Sequence, residues 1–184
     1  MYPQQQLTWV ESPLLTEHLC GAGRPGHFRG VATVVLKLLQ IVQPDRAYLG
    51  EKDAQQLAVI RRMVRDLNVP VAIVPVPTER EADGLARSSR NQHLNPGQRQ
   101  PASVLSRALF AARGAILLGH SSASAIQAMA APLFDGIRVE YFSVVDPETL
   151  ARVESITGRV LIAGAIWLGS TRLIDNLTVA AGKQ

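Results

Sequence analysis

Apolar residues recur at helical spacing in the first half of the chain and alternate with short apolar runs. The spacing predicts helices over residues 31–42 and 54–67, because side chains three and four positions apart share one helix face. Residues 46–50 and 71–76 are short apolar runs and predict strands. Helix, strand, helix, strand with short connections predicts a doubly wound α/β layer up to about residue 77. The unbroken run at 71–76 is typical of a parallel strand buried on both faces.

The apolar face of each predicted helix is defined by a few positions. The first face comprises Val31, Val34, Val35, Leu38 and Val42, and the second comprises Leu57, Ile60, Met63, Val64 and Leu67. Two more helical patterns follow later in the chain. Their apolar residues are Leu105, Ala108, Leu109, Ala112 and Ile116, and then Ile126, Met129, Ala130 and Leu133.

The second half of the chain has a different pattern. Residues 77–101 are polar and punctuated by glycine and proline, which predicts a long loop of functional or linking character. Alternating stretches at 138–146, 159–169 and 171–179 predict a small antiparallel sheet. We therefore expect two domains, at residues 1–90 and 91–184, the second of the α+β class.

Composition narrows the classes of protein. The chain has 184 residues, of which 47% are apolar and 18% charged, as in globular proteins. No run of about 18 apolar residues predicts a membrane span, and the first residues lack the order of a signal peptide. The net charge of +4 is scattered, which disfavours nucleic acid as a partner. A single cysteine, Cys20, excludes an internal disulfide, fits a reducing cytoplasm and is interpreted as a packing residue.

The stretch GEKDAQQ, residues 50–56, allows two interpretations. Asp53 is a good N-cap, and Gln56 three positions later would complete a capping box. Alternatively, the strand end and the helix N-terminus form an anion site to which Lys52 adds a charge. Gln55 and Gln56 would then offer donors and acceptors to a substrate.

The stretch DGLARSSRN, residues 83–91, also allows two interpretations. Ser88 and Ser89, flanked by Arg87 and Arg90, can cradle a phosphate. A solvated polar loop with a serine cap is the alternative. Because this stretch and residues 50–56 bracket one strand–helix unit, the pair suggests a nucleotide.

The glycine-rich stretch 21–30 predicts a permissive backbone before the first helix. His27 within it is a candidate base or phosphate contact, although a loop or packing role is the commoner one for a lone histidine. The remaining histidines have no spacing that predicts a metal site.

Three long motifs closely resemble the pantothenate synthetase (pantoate–β-alanine ligase) family: residues 15–70, READGLARSSRN at 80–91 and GSTRLIDN at 169–176. The resemblance implies part of a Rossmann-like nucleotidyltransferase domain followed by a small α+β C-terminal domain, usually in a homodimer. It implies a ligase of pantothenate biosynthesis that uses ATP and Mg²⁺ to convert pantoate into a pantoyl adenylate. Attack by β-alanine then gives pantothenate and AMP.

The motifs also imply individual roles. An ATP-contacting loop would comprise Gly50, Glu51, Lys52 and Asp53, with Lys52 near the phosphates, and Gln56 would bind pantoate. A phosphate-gripping loop would comprise Ser88, Ser89 and Arg90. Arg87 stands where the family usually has an apolar residue, and Glu79 where it makes a backbone contact to the nucleotide.

One family feature is missing from these 184 residues. No HxGH motif, which supplies the family's ATP-binding histidine pair, occurs in the sequence, so no catalytic residue is assigned. We hypothesise that the chain is a fragment or an N-terminally truncated product of such an enzyme. The alternative is a non-catalytic module for nucleotide binding or dimerisation.

Overall fold

The chain forms two compact units. A computed structural model describes residues 4–182, with the first unit ending at Pro77 and the second beginning at Thr78. The sequence predicted a boundary between residues 90 and 91 instead. The difference arises because Arg80 bonds to Asp175 near the end of the chain, which attaches the segment after Pro77 to the second unit. No helix among the described residues is long and apolar enough to cross a membrane.

The first unit is a parallel α/β layer. Strands β1 and β2 pair in parallel, from Arg46 opposite Ala72 to Gly50 opposite Val76. The helix between them connects the two strands, so the predicted strand–helix–strand order is confirmed. The elements are α1 (Leu19–Ala22), α2 (His27–Val42), β1 (Arg46–Gly50), α3 (Ala54–Asp66) and β2 (Ala72–Val76), with 3-10 turns at Pro13–Leu15 and Glu51–Asp53.

Helix α2 differs from its prediction in both length and orientation. It begins at His27, so the glycine-rich stretch 21–30 is largely helical and not a loop. Its buried apolar residues are Phe28, Ala32 and Leu39, whereas Leu38 and Val42 of the predicted face are 42% and 65% exposed. Residues 31–42 have a wide apolar arc opposite Thr33, Lys37 and Gln40, and periodicity alone did not select the part of that arc that is buried.

Strand β2 is less buried than predicted. Its residues are half-buried or exposed, and Tyr48 on β1 is 63% exposed. The apolar run correctly predicted a parallel strand. Within the described residues, however, the sheet has two strands and is not covered on both faces.

The second unit is a three-stranded antiparallel sheet packed against two helices. The strand order is β3-β4-β5, and the predicted sheet is confirmed. All five predicted positions of the long helix, from Leu105 to Ile116, are buried in the core with Ile162 and Ile166 of the sheet. The elements are α4 (Pro96–Arg99), α5 (Val104–Leu117), α6 (Ala123–Ala130), β3 (Arg138–Val145), β4 (Arg159–Leu168) and β5 (Thr171–Ala180).

Helix α6 matches its prediction in part. Ser122 caps it by accepting a hydrogen bond from the Ala125 N–H at 3.3 Å. Ile126 and Ala130 are buried, but Met129 and Leu133 are 52% and 40% exposed. The helix ends at Ala130, so Leu133 lies in the following 3-10 turn and leaves the helical face.

A cross-strand cluster makes the second unit sensitive to acid. Glu140 accepts hydrogen bonds from Arg172 Nε at 2.8 Å and from Trp167 Nε1 at 2.9 Å. The Arg172 hydrogen bond, followed by that of Trp167, lowers the pKa of Glu140 below its ordinary value. Because the folded-state pKa is lower than the unfolded one, the carboxylate stabilises the fold above the unfolded pKa. That stability is lost as the pH falls through the folded pKa.

We therefore expect the stability difference between the natural chain and a Glu140→Gln variant to depend on pH. The natural chain is more stable at neutral pH, and its advantage shrinks as the pH falls below the ordinary pKa of a glutamate. Urea unfolding at a series of pH values measures this difference. A difference that stays constant into acid would exclude a contribution from Glu140.

Candidate functional site

The junction between β1 and α3 presents the first group of predicted site residues. Gly50 ends the strand, Glu51–Asp53 form a 3-10 turn, and α3 begins at Ala54. Glu51 and Lys52 are half-buried and Asp53 is exposed. The junction therefore presents a lysine at the carboxyl end of a parallel strand, where open α/β sheets bind ligands.

The predicted capping box at this junction is wrong. The side chain of Asp53 accepts no capping hydrogen bond, and its backbone lies at φ −97° and ψ 58°. The chain enters α3 through the preceding 3-10 turn, which takes Asp53 out of the extended conformation that a capping residue usually adopts. Neither Asp53 nor Gln56 is therefore needed to cap the helix.

The two neighbouring glutamines have different environments. Gln55 is 5% exposed, and its Nε2 donates to the carbonyl oxygens of Leu15 and His18 at 2.8 and 2.9 Å. Its Oε1 accepts from the Gly21 N–H at 3.3 Å. Both ends of its amide therefore bind backbone, so a substrate role for Gln55 is not supported. Gln56 is half-buried.

Gly21, which donates to Gln55, lies where a larger residue does not fit. A Cβ at this position would lie 2.1 Å from the carbonyl oxygen of Thr16, a backbone atom that cannot yield. Only glycine lets the chain approach the backbone of Thr16 this closely. The glycine at position 21 is therefore explained by packing against backbone.

His27 and Cys20 both lie in helices of the first unit. His27 is the first residue of α2, and its ring lies edge-on to Phe28 with centroids 5.0 Å apart. Cys20 is buried in α1, in agreement with its interpretation as a packing residue. Among residues 4–182, no cluster of three histidine, cysteine or acidic side chains could hold a metal ion.

The polar segment after Pro77 is ordered and not the long loop that was predicted. Residues 79–87 form a hairpin closed by Glu81 N–H to Leu85 O at 2.8 Å and Arg87 N–H to Glu79 O at 2.8 Å. Gly84 turns the chain at φ +87°, a conformation that glycine adopts without strain.

Arg80 attaches this hairpin to the sheet. Its guanidinium binds both carboxylate oxygens of Asp175, at 2.6 and 3.0 Å, and donates to Gly84 O at 3.0 Å. The side chain of Asp175 is 4% exposed, so the ion pair is shielded from water. The guanidinium also lies 5.2 Å from the centre of the Phe110 ring.

The predicted phosphate loop follows the hairpin. Ser88 is the N-cap of a 3-10 helix at Ser89–His93, and its Oγ accepts from the Arg90 N–H at 3.3 Å. The predicted serine cap is therefore present, and it leaves Ser89 and Arg90 exposed. An open surface cavity of about 600 Å³ is lined by residues that include Arg87, Ser88, Ser89 and Asn91.

Arg87 and Glu79 pair with each other across the open end of the hairpin. Arg87 Nη1 lies 3.2 Å from Glu79 Oε2, and both side chains are more than half exposed. An exposed pair of this kind contributes little to stability. The unusual arginine therefore does not disturb packing, and its charge remains at the edge of the cavity.

Arg99 and two acidic residues form a second charged group beside the loop. Arg99 binds Asp83 with Nη1 and Glu81 with Nη2, the latter at 2.5 Å. The Arg99 hydrogen bond lowers the pKa of Asp83, and the Asn91 hydrogen bond, followed by that of Arg99, lowers the pKa of Glu81. The hydrogen bonds that Arg99 donates to the two carboxylates, led by the one to Asp83, raise the pKa of Arg99.

The predicted residues fall into one group on each unit. Gly50–Asp53 and Gln56 gather at the strand–helix junction of the first unit, and Glu79 and Arg87–Arg90 gather around the hairpin of the second. Sequence reasoning missed the contacts of Glu81, Asn91, Arg99 and Asp175. The motifs READGLARSSRN and GSTRLIDN contain three of these residues, but nothing in them indicates which side chains pair.

Comparisons with known proteins identify the family of the chain. The sequence model of the family described as pantoate-beta-alanine ligase matches residues 1–178. Pantothenate synthetase from Moorella thermoacetica is 53% identical over 182 residues, which cover 97% of this chain and 64% of that protein. The chain thus belongs to the pantoate–β-alanine ligase family, and it spans just under two thirds of the length of that curated relative.

Solved structures show the same fold. The crystal structure of pantothenate synthetase from Thermus thermophilus superposes with a TM-score of 0.91 at 47% identity, covering 96% of this chain and 65% of that one. The enzyme from Francisella tularensis, solved in complex with "Beta-gamma ATP" and β-alanine, superposes at 0.68 with 32% identity, covering 96% and 60%. The predicted α/β nucleotidyltransferase fold class is therefore confirmed.

Proposed function

We propose that this chain supplies nucleotide- and pantoate-binding surfaces of an ATP-dependent ligase that joins pantoate to β-alanine. The observation that carries the proposal is the family match over residues 1–178, with the motif residues in accessible positions. The product is pantothenate, with AMP and pyrophosphate released. The relative from Francisella tularensis, crystallised with an ATP compound and β-alanine, supports these substrates.

The reaction proceeds in two steps that need no covalent bond to the protein. A carboxylate oxygen of pantoate bonds to the α-phosphorus of ATP while the bond to the pyrophosphate oxygen breaks. The amine of β-alanine then attacks the acyl carbon, AMP leaves with the electron pair, and the amine loses a proton. Each step brings anions together or develops charge on phosphate oxygens.

The chain's own residues would offset that charge from two positions. Lys52, at the carboxyl end of β1, supplies a compact cation to the phosphates, with Gly50, Glu51 and Asp53 forming the loop around it. Ser88, Ser89 and Arg90 supply hydroxyl and guanidinium donors on the second unit. Glu79 and Arg87 complete that ATP surface, and Gln56 binds pantoate through its amide.

The Mg²⁺ ion is proposed to bind together with ATP, as a Mg–ATP complex. Magnesium commonly binds through substrate phosphates together with one or two carboxylates and retained waters. A Mg–ATP complex therefore fits a chain whose described residues offer no three-residue metal cluster. We also propose that the chain forms a homodimer, as is usual in the family. A reducing cytoplasm is the proposed location, because the single cysteine fits it.

A non-catalytic nucleotide-binding module is the second candidate function. It is favoured by one sequence observation: the phosphate-binding motifs are present, whereas HxGH does not occur among these 184 residues. Both candidates predict nucleotide binding. They differ in whether bound ATP is converted to AMP.

The 184-residue chain is expected to bind Mg–ATP and to release little AMP from ATP, pantoate and β-alanine. Lys52→Ala should weaken Mg–ATP binding by about tenfold to a hundredfold, because a charge-assisted contact to phosphate is lost. Arg61→Ala is the matched control, since it removes an exposed positive charge from α3 itself. Calorimetric titration and chromatographic detection of AMP provide the two measurements.

Three results would contradict parts of this proposal. Robust AMP release would refute the expectation that an HxGH segment is required. No Mg–ATP binding by the natural chain would contradict both candidate functions. Equal losses in Lys52→Ala and Arg61→Ala would show that net charge matters and that Lys52 has no specific phosphate contact.

A further inference from the structure

The side chain of Asn91 turns back from the phosphate loop to the hairpin. Asn91 directly follows Ser88–Arg90, and its backbone N–H donates to Ser88 O at 3.0 Å. Its Nδ2 donates to Glu81 Oε1 at 2.8 Å and to Ala86 O at 3.2 Å. Both contacts are acceptors, which fixes the orientation of the amide. The two ends of the segment 86–91 are thus joined through one side chain.

Arg99 holds the acceptor of this hydrogen bond in place. Glu81 uses Oε1 for Asn91 and Oε2 for Arg99, so its carboxylate bridges the two side chains. Arg99 also binds Asp83, whose Oδ1 accepts from the Leu85 N–H at 3.1 Å. Hydrogen bonds to ionised groups are stronger than neutral ones. The chain of contacts therefore connects Asn91 to both sides of the hairpin turn.

Asn91 also has one unsatisfied atom. Its Oδ1 is the buried side-chain polar atom without a hydrogen-bond partner within residues 4–182. A buried acceptor without a donor costs free energy. The Nδ2 group makes both side-chain contacts, and these contacts account for an asparagine at this position.

We propose that Asn91 is a positioning residue that, held by Glu81 and Arg99, fixes Ser88–Arg90 in the conformation that binds the nucleotide phosphates. The proposal rests on the proposed function, because the phosphate role of the loop belongs to it. A loop that is ordered before binding loses less conformational entropy when the ligand arrives. Asn91 acts through the loop and is not expected to touch the nucleotide.

Asn91→Asp tests this role with a nearly isosteric change. The new carboxylate cannot donate to Glu81 or to Ala86 O, and it faces a like charge. We expect Mg–ATP affinity to fall about tenfold, with pantoate affinity unchanged because Gln56 lies on the first unit. Gln100→Glu is the matched control, because it introduces a negative charge at an exposed position nearby.

A double variant restores the hydrogen bond with the donor and acceptor exchanged. In Glu81→Gln with Asn91→Asp, the glutamine Oε1 can accept from Arg99 while its Nε2 donates to the new carboxylate. We expect this double variant to recover a large part of the lost Mg–ATP affinity. No recovery, together with an equal loss in Gln100→Glu, would overturn the proposal.

Amide hydrogen exchange tests the positioning without any nucleotide. The Arg90 and Asn91 N–H groups, which bond to Ser88, should exchange about tenfold faster in Asn91→Asp and regain protection in the double variant. Unchanged exchange of these amides would overturn the proposal, whether or not the chain binds Mg–ATP. If the natural chain bound no Mg–ATP, the proposed function would be wrong. Faster exchange of these amides in Asn91→Asp would still support the role of Asn91 in holding the loop. If Asn91→Asp proved unfolded by circular dichroism, Glu81→Gln alone, which retains one acceptor, gives the same comparison.

Discussion

Asp175→Ala is expected to lower the free energy of unfolding of the second unit by about 3–5 kcal/mol, because it leaves the guanidinium of Arg80 without its buried partner. The side chain of Asp175 is 4% exposed and that of Arg80 is 17% exposed, so water cannot replace the carboxylate freely. The change also removes the acceptor of the Asn176 N–H, bonded at 2.8 Å. Urea unfolding followed by the tryptophan fluorescence of Trp167 measures the loss.

A double replacement separates the unpaired charge from the ion pair itself. Arg80→Met with Asp175→Leu removes both charges and retains apolar volume, so it should cost less than Asp175→Ala alone. Asp135→Ala is a suitable surface control, because Asp135 is exposed and should change stability by no more than about 0.5 kcal/mol. A double variant as unstable as Asp175→Ala would show that the loss of stability comes from lost packing and not from the unpaired charge of Arg80.

Gln55→Leu is expected to destabilise the first unit by about 2 kcal/mol, because the buried carbonyl of Leu15 loses its Gln55 donor. The His18 carbonyl and the Gly21 N–H keep the 3.0 Å hydrogen bond that joins them but lose their bonds to the Gln55 amide. Without them, the segment preceding α2 is no longer bound to α3. Thermal unfolding should show the loss, and hydrogen exchange should show increased opening of residues 15–21.

The neighbouring glutamine provides the matched comparison. Gln56→Leu should change stability by less than about 0.5 kcal/mol, because Gln56 is half-buried and its helix does not need it as a cap. It should weaken pantoate binding by about tenfold, in keeping with the loss of a polar contact to the substrate. If Gln55→Leu weakened pantoate binding without loss of stability, the assignment of roles to the two glutamines would be reversed.

The amino-acid pattern was a reliable guide to the elements of the second unit. The apolar spacing from Leu105 to Ile116 identified buried positions of α5. Apolar content identified the three antiparallel strands, although β4 is a continuous buried run and does not alternate. In α2 the same reasoning chose part of the apolar arc that is rotated from the buried part, because that arc is wider than the surface that the core covers.

Some of the candidate functional residues could be predicted from the sequence and others could not. The motifs around Lys52 and Ser88–Arg90 were recognisable from sequence, because each is a contiguous stretch with a characteristic set of residues. The capping role offered for Asp53 and the substrate role offered for Gln55 were wrong, whereas the ATP role of Asp53 stays a prediction. Whether a side chain caps a helix or binds distant backbone depends on the path of the chain, which the neighbouring residues in the sequence do not specify.

Residue patterns and motifs were thus sufficient to identify the family, the order of the main strands and helices, and the stretch YLGEKDAQQL as a candidate ligand-binding junction. The family motif had also implied Gln56 as the pantoate-binding glutamine, whereas the binding of Gln55 to the backbone of residues 15–21 became visible in the folded chain. The tertiary structure also decided that Arg80, Glu81 and Arg99 organise the hairpin beside the phosphate loop. These contacts join groups that are from 10 to 95 positions apart in sequence, and their energies depend on burial and geometry that no local pattern contains.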